Sequence, residues 1–532
     1  MNEIIFYNGS ILTMEENQQV EAIFVQSGII KKVGTTEEIM ALQNNYTKLV
    51  DLQGHTLLPA FIDAHSHLTA FANTLRLASL SAVKSTDELV DTLRSFKETK
   101  QIAKGDWIVG FGYDNHQFVD KQHPTKHILD QVSIENPIFV SHASGHMGVA
   151  NSLALQALHI TSDTPDPEGG KIGREPNSSE PNGYLEENAF IQNSSKIPQP
   201  SAEEMCTLLE EAQQIYFSYG ITTAQEGMVN AQQESLLVKM VKERRLLMDV
   251  VGYIDVKNSH ELASKHKEYI GTYIHHYKIG GYKMFLDGSP QEKTAWMTKP
   301  YEGATDGYSG YPIYQDEEVE QMVQTAINEN MQLLTHCNGD AAADQLLFTF
   351  AKLFHEQKIK DHKRPVMIHA QTVRPDQLAF MKRIHMIPSF FVEHTYYWGD
   401  THLENLGEER AFHISPLKTA IENGVMFTLH QDTPVVPPDM LHTVWCAVNR
   451  VTKSGMTLGE DEKITPQEAL KGVTIHGAYQ YFEENKKGSI KPGKQANFVI
   501  LQDNPLTIEP MQIKDISILE TIMQGKTVFK KE

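Results

Sequence analysis

The chain is poor in cysteine. Only Cys206, Cys337 and Cys446 occur in 532 residues, and no two of them form a CxxC pair. A small, odd number of scattered cysteines supplies neither a disulfide framework nor a zinc site built from thiolates. We therefore expect a reduced, cytoplasmic protein.

Basic side chains and long apolar runs are also scarce. The chain has 47 Lys and Arg against 68 Asp and Glu, a formal net charge of −21. Nucleic acids and anionic membranes both bind basic surfaces, so neither is expected as a partner. No uninterrupted apolar run approaches the about 18 residues of a membrane-spanning helix. The first residues, Met1 to Ile5, lack the basic and apolar regions of a signal peptide.

The most informative feature that is present is His65-Ser66-His67, which follows the apolar run Leu57–Ile62. The run predicts a buried strand. Side chains two residues apart on an extended backbone point to the same side, so both imidazoles can reach one metal ion. In a β/α barrel, the carboxyl end of a strand is where catalytic residues lie.

Seven further apolar runs alternate with longer helical segments, a pattern typical of βαβ units. With the strand before His65, they give the eight strands of a (β/α)8 TIM barrel, which is the predicted α/β fold class. The seven predicted strands are Ile221–Gln225, Met248–Tyr253, Tyr282–Leu286, Gln332–His336, Pro365–His369, Ile387–Val392 and Val425–Leu429.

Both chain ends contain short apolar runs joined by turns such as Asn8-Gly9 and Ser27-Gly28, which are typical of hairpins. Neither end has enough strands for its own core, so we predict one small β-sandwich domain from residues 1–56 and 476–532. Residues 57–475 would then form the barrel. An insertion at about 70–215 is predicted to be helix and loop, with the Pro- and Gly-rich segment Asp163–Asn182 as a loop.

Polar residues recur where the predicted strands end. His336 and His369 end two strands, Asp432 follows the last, and Lys283 lies inside an apolar strand where an ammonium group is costly. Taken alone, each has a structural explanation, such as a hydrogen-bonded histidine or a lysine extending to solvent. Together they form a set of imidazole and carboxylate groups that suits zinc and similar ions, and carboxylation of Lys283 by CO2 would add another ligand.

At this point the chain resembles the amidohydrolase superfamily, and within it the amidohydrolase 3 branch of YtcJ-like metal-dependent hydrolases. The resemblance extends over nearly the whole chain. It rests on segments 61–67, 144–152, 183–187, 283–289, 336–340, 369–371, 431–435 and 488–494.

The resemblance implies one or two divalent metal ions, expected to be Zn²⁺, at the mouth of the barrel. By similarity, His65, His67 and Asp432 hold one ion. A carboxylated Lys283 would bridge to a second ion held by His336 and His369, whereas an unmodified Lys283 would favour a single ion. A bound metal ion lowers the pKa of water and supplies hydroxide at neutral pH, with Asp432 as general base and then general acid.

The family also suggests residues that contact the substrate. His146 in the insertion, and His394 and Trp398 after the seventh strand, are the candidates. The chain departs from the family pattern at three places: Ile368 stands where a Glu is common, His430-Gln431 where Gly-Ser is usual, and Asn497 where Asp is usual. None of these changes removes an expected metal ligand, but those at 368, 430 and 431 can alter the substrate pocket.

The expected activity is hydrolysis of a non-peptide C–N bond in a small molecule, such as an N-substituted formamide, an N-acyl amine or a cyclic amide. A heterocycle deaminase, a lactone or ester hydrolase and a barrel that serves as a non-catalytic scaffold are the alternatives. The scaffold alternative predicts missing ligands, whereas all six candidate ligands are present. A homodimer is expected from the family resemblance.

Overall fold

A computed structural model describes residues 3–16, 20–356 and 363–532. Met1 and Asn2, which contribute to the signal-peptide prediction, lie outside the described residues. Two compact units are present: residues 1–71 with 209–532, and residues 72–208. The expected metal ligands belong to the first unit, and the inserted segment forms the second.

Eight parallel strands form one sheet in the first unit, and their order in the sheet follows their order in the chain. They are Phe61–Ile62, Ile221–Val229, Asp249–Asp255, Tyr277–Phe285, Gln332–Cys337, Val366–His369, Ile387–Phe390 and Thr428–Leu429. All residues of Asp249–Asp255 are buried, as expected for a parallel strand covered on both faces. The seven later strands of the sequence prediction are therefore present, with bounds that differ by a few residues.

The two edges of this sheet meet at the carboxyl ends of its strands. The backbone N–H of Asp432, after the eighth strand, donates to the carbonyl of His65 at 3.3 Å, and the N–H of His67 donates to Thr433 at 2.8 Å. The first and eighth strands are therefore neighbours, in keeping with a TIM-like barrel.

The apolar run before His65 does not form one strand, which corrects the sequence prediction. Thr56–Pro59 pairs antiparallel with the C-terminal strand Phe498–Leu501, and only Phe61–Ile62 belongs to the eight-stranded sheet. Both segments are fully buried, so the apolar pattern continues across the point where the chain changes sheets. His65 therefore lies in the loop after a two-residue strand.

The chain ends form two further sheets. The first contains Glu3–Tyr7, Ala22–Gln26, Ile29–Gly34 and Thr47–Asp51; the second contains Ser10–Ile11, Thr56–Pro59, Phe498–Leu501, Ile518–Met523 and Lys526–Lys530. Residues from both sheets, such as Phe6 and Phe498, share one hydrophobic cluster. Ser27-Gly28 forms the predicted hairpin, but Asn8-Gly9 does not, because the strands on either side of it enter different sheets.

The prediction of a helix-and-loop insertion is wrong. The second unit contains a six-stranded sheet of Leu77–Ser79, Ile108–Tyr113, Ile138–His142, Met147–Ala150, Gly170–Arg174 and Pro181–Glu187. Part of the predicted loop Asp163–Asn182 pairs in this sheet, since Gly170–Arg174 lies antiparallel to Pro181–Glu187. These strands are short, and glycines such as Gly173 and Gly183 interrupt their apolar pattern.

The helices of the second unit are Thr86–Thr99, Lys126–Asp130, Ser152–Ala157 and Asn188–Ser194, and Leu68–Thr74 and Ala202–Ser218 cross its bounds. Those of the first unit are Thr36–Met40, Ala231–Lys242, Glu261–Lys265, Asp316–Asn328, Asp340–His355, Pro375–Arg383, His394–Tyr397, Gly399–Ala411, Leu417–Glu422, Met440–Asn449, Pro466–Gly472 and Ile475–Gln480. Short 3-10 helices cover Asn115–Gln117, Lys267–Tyr269, Glu460–Glu462 and Pro510–Asp515. Within the described ranges, none of the helices has the length and apolar character needed to span a membrane.

Candidate metal centre

The six candidate ligands all lie at or near the carboxyl ends of parallel strands. His65 and His67 follow the first strand, Lys283 lies near the end of the fourth, and Asp432 follows the eighth. His336 and His369 lie at the ends of the fifth and sixth strands. Because these ends meet at one edge of the sheet, their side chains converge.

The ligand atoms fall into two close groups. Nε2 of His65 and Nε2 of His67 lie 3.3 Å and 3.4 Å from Oδ1 of Asp432. Nε2 of His369 lies 3.1 Å from Nδ1 of His336 and 3.9 Å from Oδ2 of Asp432. Bonds of 2.0–2.1 Å to a tetrahedral zinc ion place two ligand atoms about 3.3 Å apart. The nitrogen and oxygen atoms present therefore have the spacing that such an ion requires.

Hydrogen bonds on the outer side fix which imidazole nitrogen carries the proton. Nδ1 of His65 lies 2.6 Å from Oε1 of Gln225, whose amide nitrogen donates to the carbonyl of Ala64. Nε2 of His336 lies 3.1 Å from the carbonyl of Gly288. The oxygen of Gln225 can only accept, so Nδ1 of His65 donates and its Nε2 keeps a free electron pair that points into the centre. Nε2 of His336 has a donor as well as an acceptor beside it, since the amide nitrogen of Asn338 lies 3.2 Å away.

His369 bonds to His430, which the sequence marked as a departure from the family pattern that can alter the substrate pocket. Nδ1 of His369 lies 3.2 Å from Nε2 of His430, and Nδ1 of His430 lies 2.9 Å from Oγ of Ser389. A proton on Nδ1 of His369 leaves its Nε2 free to bind a cation. The only sequence signal for His430 was its departure from the family pattern.

Electrostatics agree with this donor set. Burial and the nearby Lys283 lower the pKa of His65 to about 4 and that of His336 to about 3, so both imidazoles are neutral at pH 7. Burial alone would raise the pKa of Asp432, but the adjacent His65 and His67 hold it well below its usual value. Burial would lower the pKa of His67, but its hydrogen bond to Asp432 and the charge of that carboxylate raise it. Asp432 and the neutral imidazoles of His65 and His336 are ligand types that divalent metal ions accept, so the residues fit such an ion.

The side chain of Lys283 lies in surroundings that do not suit a charged amine. Its Nζ is buried and has no hydrogen-bond partner among the described residues. Burial lowers the pKa of Lys283 to about 7, although the charge of Asp432 acts in the opposite direction. A substantial part of this amine is therefore uncharged at neutral pH.

Comparisons with known proteins show which family the chain belongs to. The sequence profile of the amidohydrolase family matches residues 48–529. The chain belongs to the amidohydrolase family. It is 28% identical to YtcJ of Bacillus subtilis (strain 168), named as an amidohydrolase, over 99% of each chain. It is 25% identical to the N-substituted formamide deformylase of Arthrobacter pascens, over 100% of this chain and 99% of that protein.

A solved structure supports the same family. An uncharacterized metal-dependent hydrolase from Pyrococcus horikoshii OT3 superposes with a TM-score of 0.75 at 25% identity, over 96% of this chain and 99% of that one. This amidohydrolase is accordingly a hydrolase that acts on C–N bonds, and it shares its fold with a metal-dependent hydrolase.

Two of the three predicted substrate residues lie in the same unit of the amidohydrolase as the metal centre. The ring of Phe391 is centred 6.0 Å from that of His369 and 4.6 Å from that of His394, so one aromatic side chain connects the centre to His394. The ring of Trp398 is also 4.6 Å from that of His394. His394 is buried and bonded to His402 at 3.0 Å, which limits its freedom to reach a substrate.

The third predicted substrate residue, His146, lies in the second unit. Its side chain is 60% exposed, and its Nδ1 lies 3.0 Å from a carboxylate oxygen of Glu187. A contact between His146 and a substrate remains a prediction.

Sequence reasoning missed other buried polar residues around the centre. Gln225 bonds to His65, and the carboxylate of Glu226 accepts from the backbone N–H of Thr69 at 2.7 Å. Burial raises the pKa of Glu226 to about 7, despite the positive potential of His67. Both residues lie in the second strand, where Gln-Glu within an apolar run was the available signal.

Proposed function

We propose that this amidohydrolase hydrolyses the C–N bond of an N-substituted formamide, an N-acyl amine or a cyclic amide, with zinc in the metal centre. The observation that carries the proposal is the position of the Asp432 carboxylate among the imidazoles. Its Oδ1 lies 3.3 Å from Nε2 of His65 and 3.4 Å from Nε2 of His67. The similarity to a formamide deformylase over the whole chain supports this substrate class. The proposed architecture is a (β/α)8 barrel joined to a β-sandwich formed by both chain ends.

His65, His67, His336 and His369 would hold the metal together with Asp432. Zinc, when bound, supplies a Lewis acid and lowers the pKa of water. Asp432 is ionised and largely buried beside the imidazoles, so it can accept a proton from the attacking water at a carboxylate oxygen. The same oxygen can then return the proton to the leaving nitrogen, a role worth about 10²–10⁴ in rate.

Lys283 is proposed to become a ligand by carboxylation. Its uncharged Nζ would attack CO2, form an N–C bond and lose a proton, which yields a carbamate anion. The buried Nζ without a hydrogen-bond partner supports this proposal, because the carbamate replaces an unpaired amine with an oxygen donor. A carbamate would bridge two ions, whereas an unmodified Lys283 would leave one.

Metal content tests this part of the proposal. Plasma mass spectrometry on protein purified without chelator or histidine tag counts all the metal in the chain, so the content of this centre is the difference between the wild type and the variant His65→Asn/His67→Asn/His336→Asn/His369→Asn. This difference should be about two equivalents if the carbamate bridges two ions. One equivalent in the centre would leave Lys283 unmodified. A protein that binds no metal after metal and bicarbonate are added would contradict the hydrolytic mechanism and favour a scaffold.

Product analysis tests the reaction class. In a panel that also contains lactones, N-formyl amines and N-acyl amines should release a carboxylate and an amine, and cyclic amides should give a ring-opened amino acid. Ammonia from a heterocyclic amidine would instead indicate a deaminase, and turnover of lactones alone would indicate an ester-type hydrolase. Asp432→Asn should lower kcat about 10²–10⁴-fold, while the control Asp461→Asn, at an exposed carboxylate, should not change kcat.

The proposal also covers the oligomeric state and the cellular compartment of the protein. A homodimer is proposed from the family resemblance, and light scattering on the purified protein would measure the oligomeric state. All three cysteines are buried, and neither Cys337 nor Cys446 forms a disulfide bond, which supports a reducing compartment such as the cytoplasm.

A further inference from the structure

A second group of metal-binding side chains lies outside the candidate centre and shares no residue with it. His442 and Cys446 are one turn apart on the helix Met440–Asn449, so their side chains lie on the same face. Glu393 comes from the segment after the seventh barrel strand and meets this face. Carboxylate, imidazole and thiolate are all ligands of zinc.

The three side chains converge on one point. Oε1 of Glu393 lies 2.5 Å from Nδ1 of His442, and Sγ of Cys446 lies 3.8 Å from the same nitrogen. A nitrogen and a sulfur bound to one tetrahedral zinc ion would be about 3.6 Å apart. The cysteine and the histidine therefore already have nearly the required spacing.

The carboxylate of Glu393 is buried although one of its two oxygens lacks a hydrogen bond. Its side chain is 1% exposed, and its Oε2 has no hydrogen-bond partner among the described residues. Burial and the nearby Asp439 raise the pKa of Glu393 well above its usual value, and burial also raises that of the Cys446 thiol. Two buried acidic groups thus face one imidazole, where a cation would stabilise the charged form of both.

We propose that Glu393, His442 and Cys446 bind a divalent metal ion of the zinc type, separate from the catalytic centre. The side chain of His442 is 14% exposed, whereas those of Glu393 and Cys446 are buried. The carboxylate must move away from Nδ1 by about 0.8 Å to reach the O···N spacing of about 3.3 Å in a zinc site. The ion would connect the helix Met440–Asn449 to the segment that carries His394 and Trp398.

The alternative is that Glu393 and His442 form a hydrogen-bonded pair and no ion binds. Substitution with cobalt(II) distinguishes these two possibilities. Cobalt(II) bound by a thiolate shows a sulfur-to-metal charge-transfer band in the near ultraviolet, whereas nitrogen and oxygen ligands alone do not. The expected ligands of the catalytic centre contain no sulfur. The apoprotein, kept reduced and then loaded with cobalt(II), should therefore show this band if Cys446 is a ligand.

Variants assign the band to one cysteine. Cys446→Ser should abolish it and lower the zinc content by one equivalent per chain. Cys337→Ser and Cys206→Ser, which alter the other two buried cysteines, should retain it. The double variant His65→Asn/His67→Asn should also retain the band, because the catalytic centre does not supply the thiolate.

Glu393→Gln keeps the side-chain size and removes the anionic ligand, so it should weaken cobalt binding at this site at least tenfold. This variant remains informative if Cys446→Ser fails to fold, which circular dichroism would show. No band in the reduced wild-type protein, or a band that persists in folded Cys446→Ser, would overturn the proposal.

Discussion

Gln225 should affect how tightly the candidate centre binds a metal ion, although Gln225 is not itself one of the proposed ligands. Its side chain is fully buried in the second barrel strand. Its Oε1 accepts from Nδ1 of His65 at 2.6 Å, and its Nε2 donates to the carbonyl of Ala64 at 2.7 Å and to the hydroxyl of Tyr481 at 3.0 Å. Because two acceptors hold the amide nitrogen, Gln225 cannot flip, and the proton of His65 must remain on Nδ1.

Replacing Gln225 with leucine keeps the volume and removes the acceptor. The Nδ1–H of His65 would then lie in an apolar environment, so the imidazole could rotate or move its proton to the metal-binding Nε2. Loss of such an outer partner typically weakens metal binding 10–100-fold. This corresponds to about 1.4–2.8 kcal/mol, at 1.4 kcal/mol for each factor of ten.

Competition with a chromophoric chelator would measure the zinc affinity of Gln225→Leu, with circular dichroism as a check on folding. Tyr481→Phe is the matched control, since it removes a buried hydroxyl bonded to Gln225 and leaves the bond to His65 in place. We expect less than a threefold change in the control. A folded Gln225→Leu protein with wild-type affinity would refute the proposed role of the hydrogen bond.

Other sites give further expected outcomes. Gly227→Ala should weaken zinc binding, because a Cβ at this position would lie 2.6 Å from Cε1 of His65 and 3.0 Å from Cε1 of His67; unchanged affinity by chelator competition would contradict this. Lys487→Met should lower the free energy of unfolding in urea by up to about 3–5 kcal/mol, since it removes the buried ammonium that lies 2.5 Å from Asp249, although the imidazole of His276 remains 2.8 Å from the same carboxylate. Lys487 also holds the pKa of Asp249 below its usual value against the effect of burial, so the stabilisation is present above the unfolded-state pKa and is lost as the pH falls through the folded-state pKa. Urea titrations from pH 5 to pH 3 should therefore show a smaller loss of stability in Lys487→Met than in the wild type, and equal losses would disprove the linkage.

The sequence predicted those parts of the fold that local patterns determine. Val366–His369 is buried throughout, and its apolar letters end at the histidine that closes the strand. Such runs fix both the strand and the position of its last side chain, so the convergence of His336, His369 and Asp432 followed from the order of the strands.

The parts that were missed depend on pairing between distant residues. Gln225 and His65 are 160 positions apart, and no local pattern links them. The division of the apolar run at Ala60 depends on the C-terminal strand Phe498–Leu501, which lies more than 400 residues later. The insertion sheet was missed for the opposite reason, because its strands are short and their glycines disrupt the periodicity.

Contacts with the surrounding residues hold the backbone of the candidate centre in place. His369, Ala370 and Asp432 have φ angles of 73°, 46° and 59°, in the left-handed region that non-glycine residues seldom adopt. Such conformations cost about 1–3 kcal/mol each and persist only where neighbouring contacts enforce them. Here His430 bonds to the imidazole of His369, and the backbone N–H of Asp432 donates to the carbonyl of His65. The strand ends and their outer hydrogen bonds therefore help to position the candidate ligands, and His430, although it departs from the family pattern, is one of the residues that do so.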